Sequence, residues 1–252
     1  MVGSMTIELF ERDCLDMTGI ENVQLVYLDP PYSCKSEDQY YGVGDSFEDY
    51  LTFIKERLTS IKKALDPAGS NVLIHLDAKA VHYVKVNADA IFGRDNFQNE
   101  IIWCYSNPSS VKSHLPRKHD TILWYGMGKR AFNQPLIPYE GKLSIGGKTS
   151  WNPDAKKEDY LKKGKKLEDW WNDIPSLCRN EKEKLSYATQ KPMALMNRII
   201  ETFSNPGDLV MDPFCGSGSF LDAANKLGRN CIGFDISDRA IAIAKKRLGI
   251  NV

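Results

Sequence analysis

Two short stretches carry residue types that could do chemistry together. The first is Asp29-Pro30-Pro31-Tyr32, which follows the apolar run from Val23 to Leu28. Two prolines stiffen the turn and remove competing N–H donors. The Asp29 carboxylate and the Pro30 carbonyl can then both accept hydrogen bonds from one planar amino group, while Tyr32 offers a ring face for stacking. That grip suits an exocyclic amine. The plainer alternative is a strand ended by a proline turn, with Asp29 as a solvated cap.

The second stretch, Asp212-Pro213-Phe214-Cys215-Gly216-Ser217-Gly218-Ser219, follows the apolar run from Leu209 to Met211. A strand, a tight glycine turn and a helix start let backbone approach a ligand closely beside a helix N-terminus. A dinucleotide fingerprint would want its third glycine at position 221, where this chain has Leu221, so a nucleoside without phosphates fits better. Asp235 ends the next strand, about 20 residues on, the usual place for a carboxylate that accepts both ribose hydroxyls. A glycine turn that merely packs a helix on a strand is the competing explanation.

The elements that must position these stretches alternate in type. Thr6 to Arg12, Val23 to Leu28, Asn71 to Leu76, Glu100 to Tyr105, Asp120 to Gly126, Leu209 to Met211 and Cys231 to Asp235 read as strands. Helices are expected over 46–65, where Ser46 and Asp49 suit a capping box, over 78–92, from Pro192 to Phe203, after Ser219, and from Asp238 to Leu248 with Gly249 as the stop. The pattern predicts an α/β fold with a largely parallel sheet covered by helices. Both chemical stretches then lie at carboxyl ends of strands, where ligands of open α/β sheets collect. Residues 130–187 break the pattern with scattered Pro and Gly, Trp151, Trp170, Trp171 and a lysine cluster, and read as an insertion.

Composition narrows the class. The chain has 252 residues, 33 Lys plus Arg against 33 Asp plus Glu, 42% hydrophobic residues and a mean hydropathy of −0.40. These values exclude disordered, collagenous and membrane-spanning classes. A neutral chain must meet any polyanion through a local patch. The six cysteines, at 14, 34, 104, 178, 215 and 231, show no metal-ligand spacing. They suggest reduced, mostly buried thiols in a cytoplasmic protein and no metal. Met1 to Ser4 resembles an expression scar, with no signal peptide after it.

Asp29-Pro30-Pro31-Tyr32 together with the 212–218 segment resembles the signature pair of the S-adenosylmethionine-dependent DNA amino-methyltransferases. The tetrapeptide comes first, an irregular insertion next and the glycines last, an order similar to the β group of that family. The resemblance implies a Rossmann-like methyltransferase sheet, circularly permuted, with a small inserted target-recognition region. Residues 1–129 would form the catalytic half, 130–187 the target-recognition insertion and 188–252 the cofactor-binding half. It further implies S-adenosylmethionine as cofactor and S-adenosylhomocysteine as product. Asp13 and Cys14 would contact the adenine of the cofactor. Lys191, in Tyr187-Ala188-Thr189-Gln190-Lys191-Pro192, would contact its methionine carboxylate, and Asp212, Phe214, Gly216, Ser217, Gly218, Ser219 and Asp235 would complete the pocket. Ala188 departs from the usual proline.

The expected substrate is double-stranded DNA with the target base flipped out onto Tyr32, since a paired base cannot reach such a site. Lys112, Arg117, Lys118 and His119, with Lys162, Lys163, Lys165 and Lys166 in the insertion, are the expected phosphate contacts. A solvated loop and a solvated lysine face are their plainer explanations, with the tryptophans forming a small core of the insertion's own. Asp in first place of the tetrapeptide is usual for the 6-amino group of adenine, whereas Ser is commoner for the 4-amino group of cytosine. Adenine is expected, with cytosine or a non-catalytic DNA-binding relative as alternatives. Methylation of RNA, protein or a small molecule is disfavoured by the permuted order and Asp29. A cognate restriction endonuclease and a homodimer stay open as partners.

Overall fold

The computed structural model describes residues 5–32, 43, 46–106, 110–137, 164–177, 183 and 190–250. Ten strands are described: β1 (Ile7–Glu11), β2 (Leu25–Leu28), β3 (Gly69–Leu76), β4 (Phe97–Cys104), β5 (His119–Gly128), β6 (Leu136–Ile137), β7 (Lys165–Lys166), β8 (Trp170–Trp171), β9 (Leu209–Asp212) and β10 (Asn230–Asp235). The helices are α1 (Phe47–Ala64), α2 (Val81–Phe92), α3 (Met193–Phe203), α4 (Ser219–Lys226) and α5 (Asp238–Leu248). Eight strands form one sheet in the order β1-β10-β9-β2-β3-β5-β4-β8. Pairing is parallel from β1 through β3, antiparallel for β3 with β5 and β5 with β4, and parallel again for β4 with β8.

Side chains alternate across the sheet, as the pleat requires. Val26, Leu28, Val72, Ile74 and Met211 pack on one face with Tyr50, Ile54 and Leu58 of α1 and Val81 and Val84 of α2. Leu25, Tyr27, Leu73 and Val210 pack on the other with Leu195 and Ile199 of α3, Phe220 of α4 and Ile241 of α5. Continuous apolar strands are thus buried on both faces, the normal state of a parallel sheet. The Ser46/Asp49 capping box forms as expected, each side chain meeting the other's backbone N–H at 3.0 Å.

Several boundaries differ from the sequence expectation. Helix α2 begins at Val81 rather than 78, because the Asp77 carboxylate accepts the N–H groups of Lys79 and Ala80 at 2.6 and 3.1 Å and holds the entry as a turn. β3, β4 and β5 are longer than their apolar runs, since the antiparallel ladder continues to Gly69 opposite Gly128 and to Phe97 opposite Tyr125.

The described parts of 130–187 lie against the main sheet. β6 pairs with β7, and β8 extends the sheet beside β4. Trp171 is 1% exposed in the core that α3 covers, and Phe132 stacks on Trp124 with centroids 5.1 Å apart. Trp171 therefore does not build a separate core, because the pairing of β8 with β4 carries it under the main sheet. Trp170 faces outward and is 64% exposed. Trp151 lies outside the described residues.

Candidate active site

β9 and β2 are neighbours at the centre, and their following helices lead in opposite directions along the sheet. This is the switch point at which an open α/β sheet opens a crevice. Leu25 is in register with Val210 and Val26 with Met211, so Asp29, just beyond β2, and Asp212, at the end of β9, meet there. The two chemical stretches are thus brought together.

At the tetrapeptide, Pro30 is buried and Tyr32 is 38% exposed. Asp29 Oδ2 is ion-paired with the Lys191 ammonium, and Oδ1 is buried with no hydrogen-bond partner among the described residues. Lys191 Nζ also lies 3.4 Å from the Tyr32 hydroxyl and 5.4 Å from its ring centroid. The sequence pattern does not anticipate that pairing; it places Lys191 on the cofactor side only.

The glycine turn forms as expected. Gly216 and Gly218 have φ of +50° and +74°, and Gly218 caps the start of α4. A Cβ on Gly218 would also stand 3.0 Å from the Ala244 Cβ, so this glycine serves close helix packing as well as the turn. Asp212 Oδ1 accepts the Phe214 N–H at 3.0 Å. Asp235 Oδ2 accepts the Gly216 N–H and Oδ1 the Ser237 N–H, both at 2.9 Å. Ser217 and Ser219 are buried, their hydroxyls 3.4 Å apart.

Three carboxylates therefore crowd one crevice. Burial pushes the Asp212 carboxyl well above its usual value, and the charges of Asp29 and Asp235 add to this, against the Phe214 N–H and Lys191. Burial also raises Asp235, against its backbone donors. Such a site favours a cationic ligand.

Asp13 lies just beyond β1, whose Glu11 is in register with Asp235. Its Oδ1 accepts the Leu15 N–H at 2.9 Å, and Oδ2 is ion-paired with Arg57 of α1. Arg57 covers the Phe53 ring at 3.4 Å, and Phe53 meets Phe214 with centroids 6.1 Å apart. The Asp13 segment and the glycine turn are thereby tied across α1. Cys14 is 2% exposed, and burial pushes its thiol up to about 12. It offers packing rather than a nucleophile.

The residues expected to meet DNA are only partly brought together. Lys112 and Arg117 are exposed, whereas Lys118 and His119 are half-buried where β5 begins. Lys165 and Lys166 form β7, and Lys165 Nζ bonds Glu168 at 2.7 Å. Lys162 and Lys163 lie outside the described residues. Sequence reasoning missed Asp120, Tyr105, His75 and Arg57. The available signals were His75 and Asp120 within largely apolar runs, polar groups that need buried partners. Among the described residues no group of three or more His, Cys, Asp or Glu is placed to hold a metal, and no helix is long and apolar enough to cross a membrane.

A permuted methyltransferase-type sheet, with its crevice between Asp29 and the glycine turn, defines the class. The DNA methylase family model N6_N4_Mtase matches residues 23–246, and the chain belongs to that family. It is 29% identical over 92% of its length to the type II methyltransferase M.EcaI of Enterobacter cloacae, and spans 66% of that protein. It is 31% identical over 89% of its length to M1.MboII of Moraxella bovis, spanning 88% of it. Among solved structures it resembles the M1.HpyAVI–SAM complex with a TM-score of 0.66 and 20% identity, over 96% of this chain and 99% of that one. It also resembles the cytosine-N4-specific PvuII DNA methyltransferase, with a TM-score of 0.69 and 14% identity over 98% and 90% of the two chains.

Proposed function

We propose that this chain transfers a methyl group from S-adenosylmethionine to the 6-amino group of adenine, in a base flipped out of duplex DNA. The observation that carries the reading is Asp29: a carboxylate with one oxygen held by Lys191 and the other buried and unpartnered among the described residues, at the crevice shared with the glycine turn. A buried oxygen without a donor is costly unless a ligand supplies one, and an amino group is such a donor.

The residues present suit this cofactor. Asp235 would take the ribose hydroxyls, Asp13 and Cys14 the adenine side, Phe214 and the backbone of Gly216 to Ser219 the body of the nucleoside, and Asp212 and Lys191 the charged amino-acid end. When bound, S-adenosylmethionine supplies an electrophilic methyl group and leaves as S-adenosylhomocysteine. Asp29 Oδ1 and the Pro30 carbonyl accept hydrogen bonds from the two amine N–H groups and push electron density onto a nitrogen whose lone pair is otherwise delocalised into the base. The nitrogen gains the methyl and then loses a proton, which Asp29 receives or relays to water. Tyr32 offers the stacking face. Asp at the head of the tetrapeptide supports adenine over cytosine. The relatives' names suit a cytoplasmic enzyme of a restriction-modification system.

Incubating the chain with unmethylated genomic DNA and S-adenosylmethionine, followed by modification-aware sequencing, tests the reading. One sequence motif should carry 6-methyladenine. Only 4-methylcytosine would move the target to cytosine, and an unmodified genome would overturn the activity. Asp29→Ala should abolish the product while S-adenosylmethionine still binds; an active variant would remove Asp29 from its role.

A further inference from the structure

The tetrapeptide's tyrosine is held from behind by polar side chains that run into the core. The Tyr32 hydroxyl donates to Asp120 Oδ2 at 3.1 Å, and the Tyr105 hydroxyl donates to Oδ1 of the same carboxylate at 3.0 Å. Asp120 is 7% exposed, near the start of β5. Its Oδ2 also meets His75 Nε2 at 3.2 Å, and His75 Nδ1 meets the Tyr27 hydroxyl at 2.8 Å. Tyr27 and His75 are both inside the sheet, 1% and 0% exposed.

Charge fixes the direction of the bond at Asp120. Burial, reinforced by nearby carboxylates, raises the Tyr27 phenol well above its usual value, so it stays protonated, and it shares one hydrogen bond with His75 Nδ1. The Asp120 carboxylate can only accept, so His75 Nε2 donates to it. Burial would raise the Asp120 carboxyl, but the hydrogen bond and electrostatic attraction of His75, then the nearby Lys191 charge and the Tyr105 hydrogen bond, outweigh this and hold it below its usual value. Asp120 is therefore an anion with both oxygens committed. Trp103 braces the chain, its ring 5.7 Å from His75 and 5.0 Å from Tyr105. A fully partnered buried network has one arrangement and so fixes whatever is attached to its end.

Here the end is Tyr32, whose ring lies at the mouth of the crevice beside Asp29. Both tyrosine hydroxyls are spent inward, which leaves ring surface, not hydroxyl donors, facing a target base. We propose that Asp120 is a positioning residue for methyl transfer, holding the Tyr32 ring, with Tyr105 beside it, at a height that brings the stacked base's amine to Asp29 Oδ1. The proposal rests on the reading of Asp29 to Tyr32 as the amine grip. It assigns Asp120 no contact with the substrate.

Single-turnover methylation by the wild type, Asp120→Asn, Tyr32→Phe and the double variant tests it. An amide can accept at only one of its two ends, and phenylalanine keeps the ring but loses its anchor. Each single change should lower the single-turnover rate about 10- to 100-fold, the scale of a displacement near 1 Å, with S-adenosylmethionine affinity unchanged. The double variant should be no slower than the worse single, because both changes break one linkage. Duplexes with 2-aminopurine at the target position should show altered emission in both variants, a signature that a drop in stability alone would not give. Losses that multiply in the double variant, or a Tyr32→Phe rate equal to wild type, would overturn the proposal. The second outcome decides even if Asp120→Asn fails to fold. A wild type that methylates no DNA overturns the underlying reading and the proposal with it; an active wild type with independent losses overturns the proposal alone.

Discussion

The Lys191 ammonium rests on Asp29 Oδ2, across 162 positions of sequence. It lies just ahead of α3 and reaches the end of β2, so one cation joins the segment that leads into α3 to the Asp29-Pro30-Pro31-Tyr32 turn. Both side chains are nearly buried, at 11% and 14% exposure, and each is the other's main compensation for leaving water.

Removing one member of such a pair leaves a charge stranded. Lys191→Met should destabilise the protein by about 3 kcal/mol, toward the lower end of the range for broken buried pairs, whereas Lys191→Met combined with Asp29→Asn should recover most of that stability. Neither variant should methylate DNA. Urea denaturation of the wild type, Lys191→Met, Asp29→Asn and the double variant checks this, and additive effects would show that the two side chains do not depend on each other.

Proton release should accompany cofactor binding. In the free site burial holds the Asp212 proton to a pH above the ordinary carboxylate value, with help from Asp29 and Asp235. The sulfonium and ammonium of S-adenosylmethionine favour the ionised form and lower that value. Affinity should therefore rise with pH until the raised value of the free site is passed, then level off. Calorimetry in two buffers of different ionisation enthalpy measures the proton count, and identical heats throughout would contradict the mechanism.

Cofactor choice should follow Asp235 and Leu221. Asp235 is held by the Gly216 and Ser237 amides and keeps lone pairs for further donors. Leu221 is fully buried, and its Cδ1 would stand 2.4 Å from a Cβ placed on Gly233, so the close helix–strand contact is made here by a glycine on β10 rather than at position 221. Asp235→Ala should weaken S-adenosylmethionine by about 1.5 to 3 kcal/mol, the value of hydrogen bonds to a charged group. NAD should not compete, and comparable NAD binding would reverse the assignment.

DNA affinity should depend on salt through few groups, since the chain is neutral overall. Lys112 and Arg117 are exposed, whereas Lys165 already bonds Glu168. Lys112→Ala with Arg117→Ala should weaken all duplexes alike and reduce the slope of log affinity against log salt by up to about 0.9 for each phosphate that is no longer neutralised. Preference for the target motif should persist, because base edges carry it. An unchanged slope would assign phosphate binding to other residues.

Residue order alone dictates local features in this chain. Prolines after Asp29, glycines after Asp212 and apolar runs before each impose two strand ends with tight turns, because φ restriction, left-handed φ and apolar period act over a few residues. Alternation of strands and helices was enough for the α/β class. Which strand ends are neighbours is settled only by folding: β9 beside β2 makes Asp29 and Asp212 one crevice. Folding likewise pairs Lys191 with Asp29, Arg57 with Asp13, and Tyr32 and Tyr105 with Asp120. Trp171 moved from a supposed core of the insertion into the main one by the same cause, the pairing of β8 with β4. These contacts depend on strand order and register between distant segments. A period-2 apolar run says which face is buried but not which strand lies alongside.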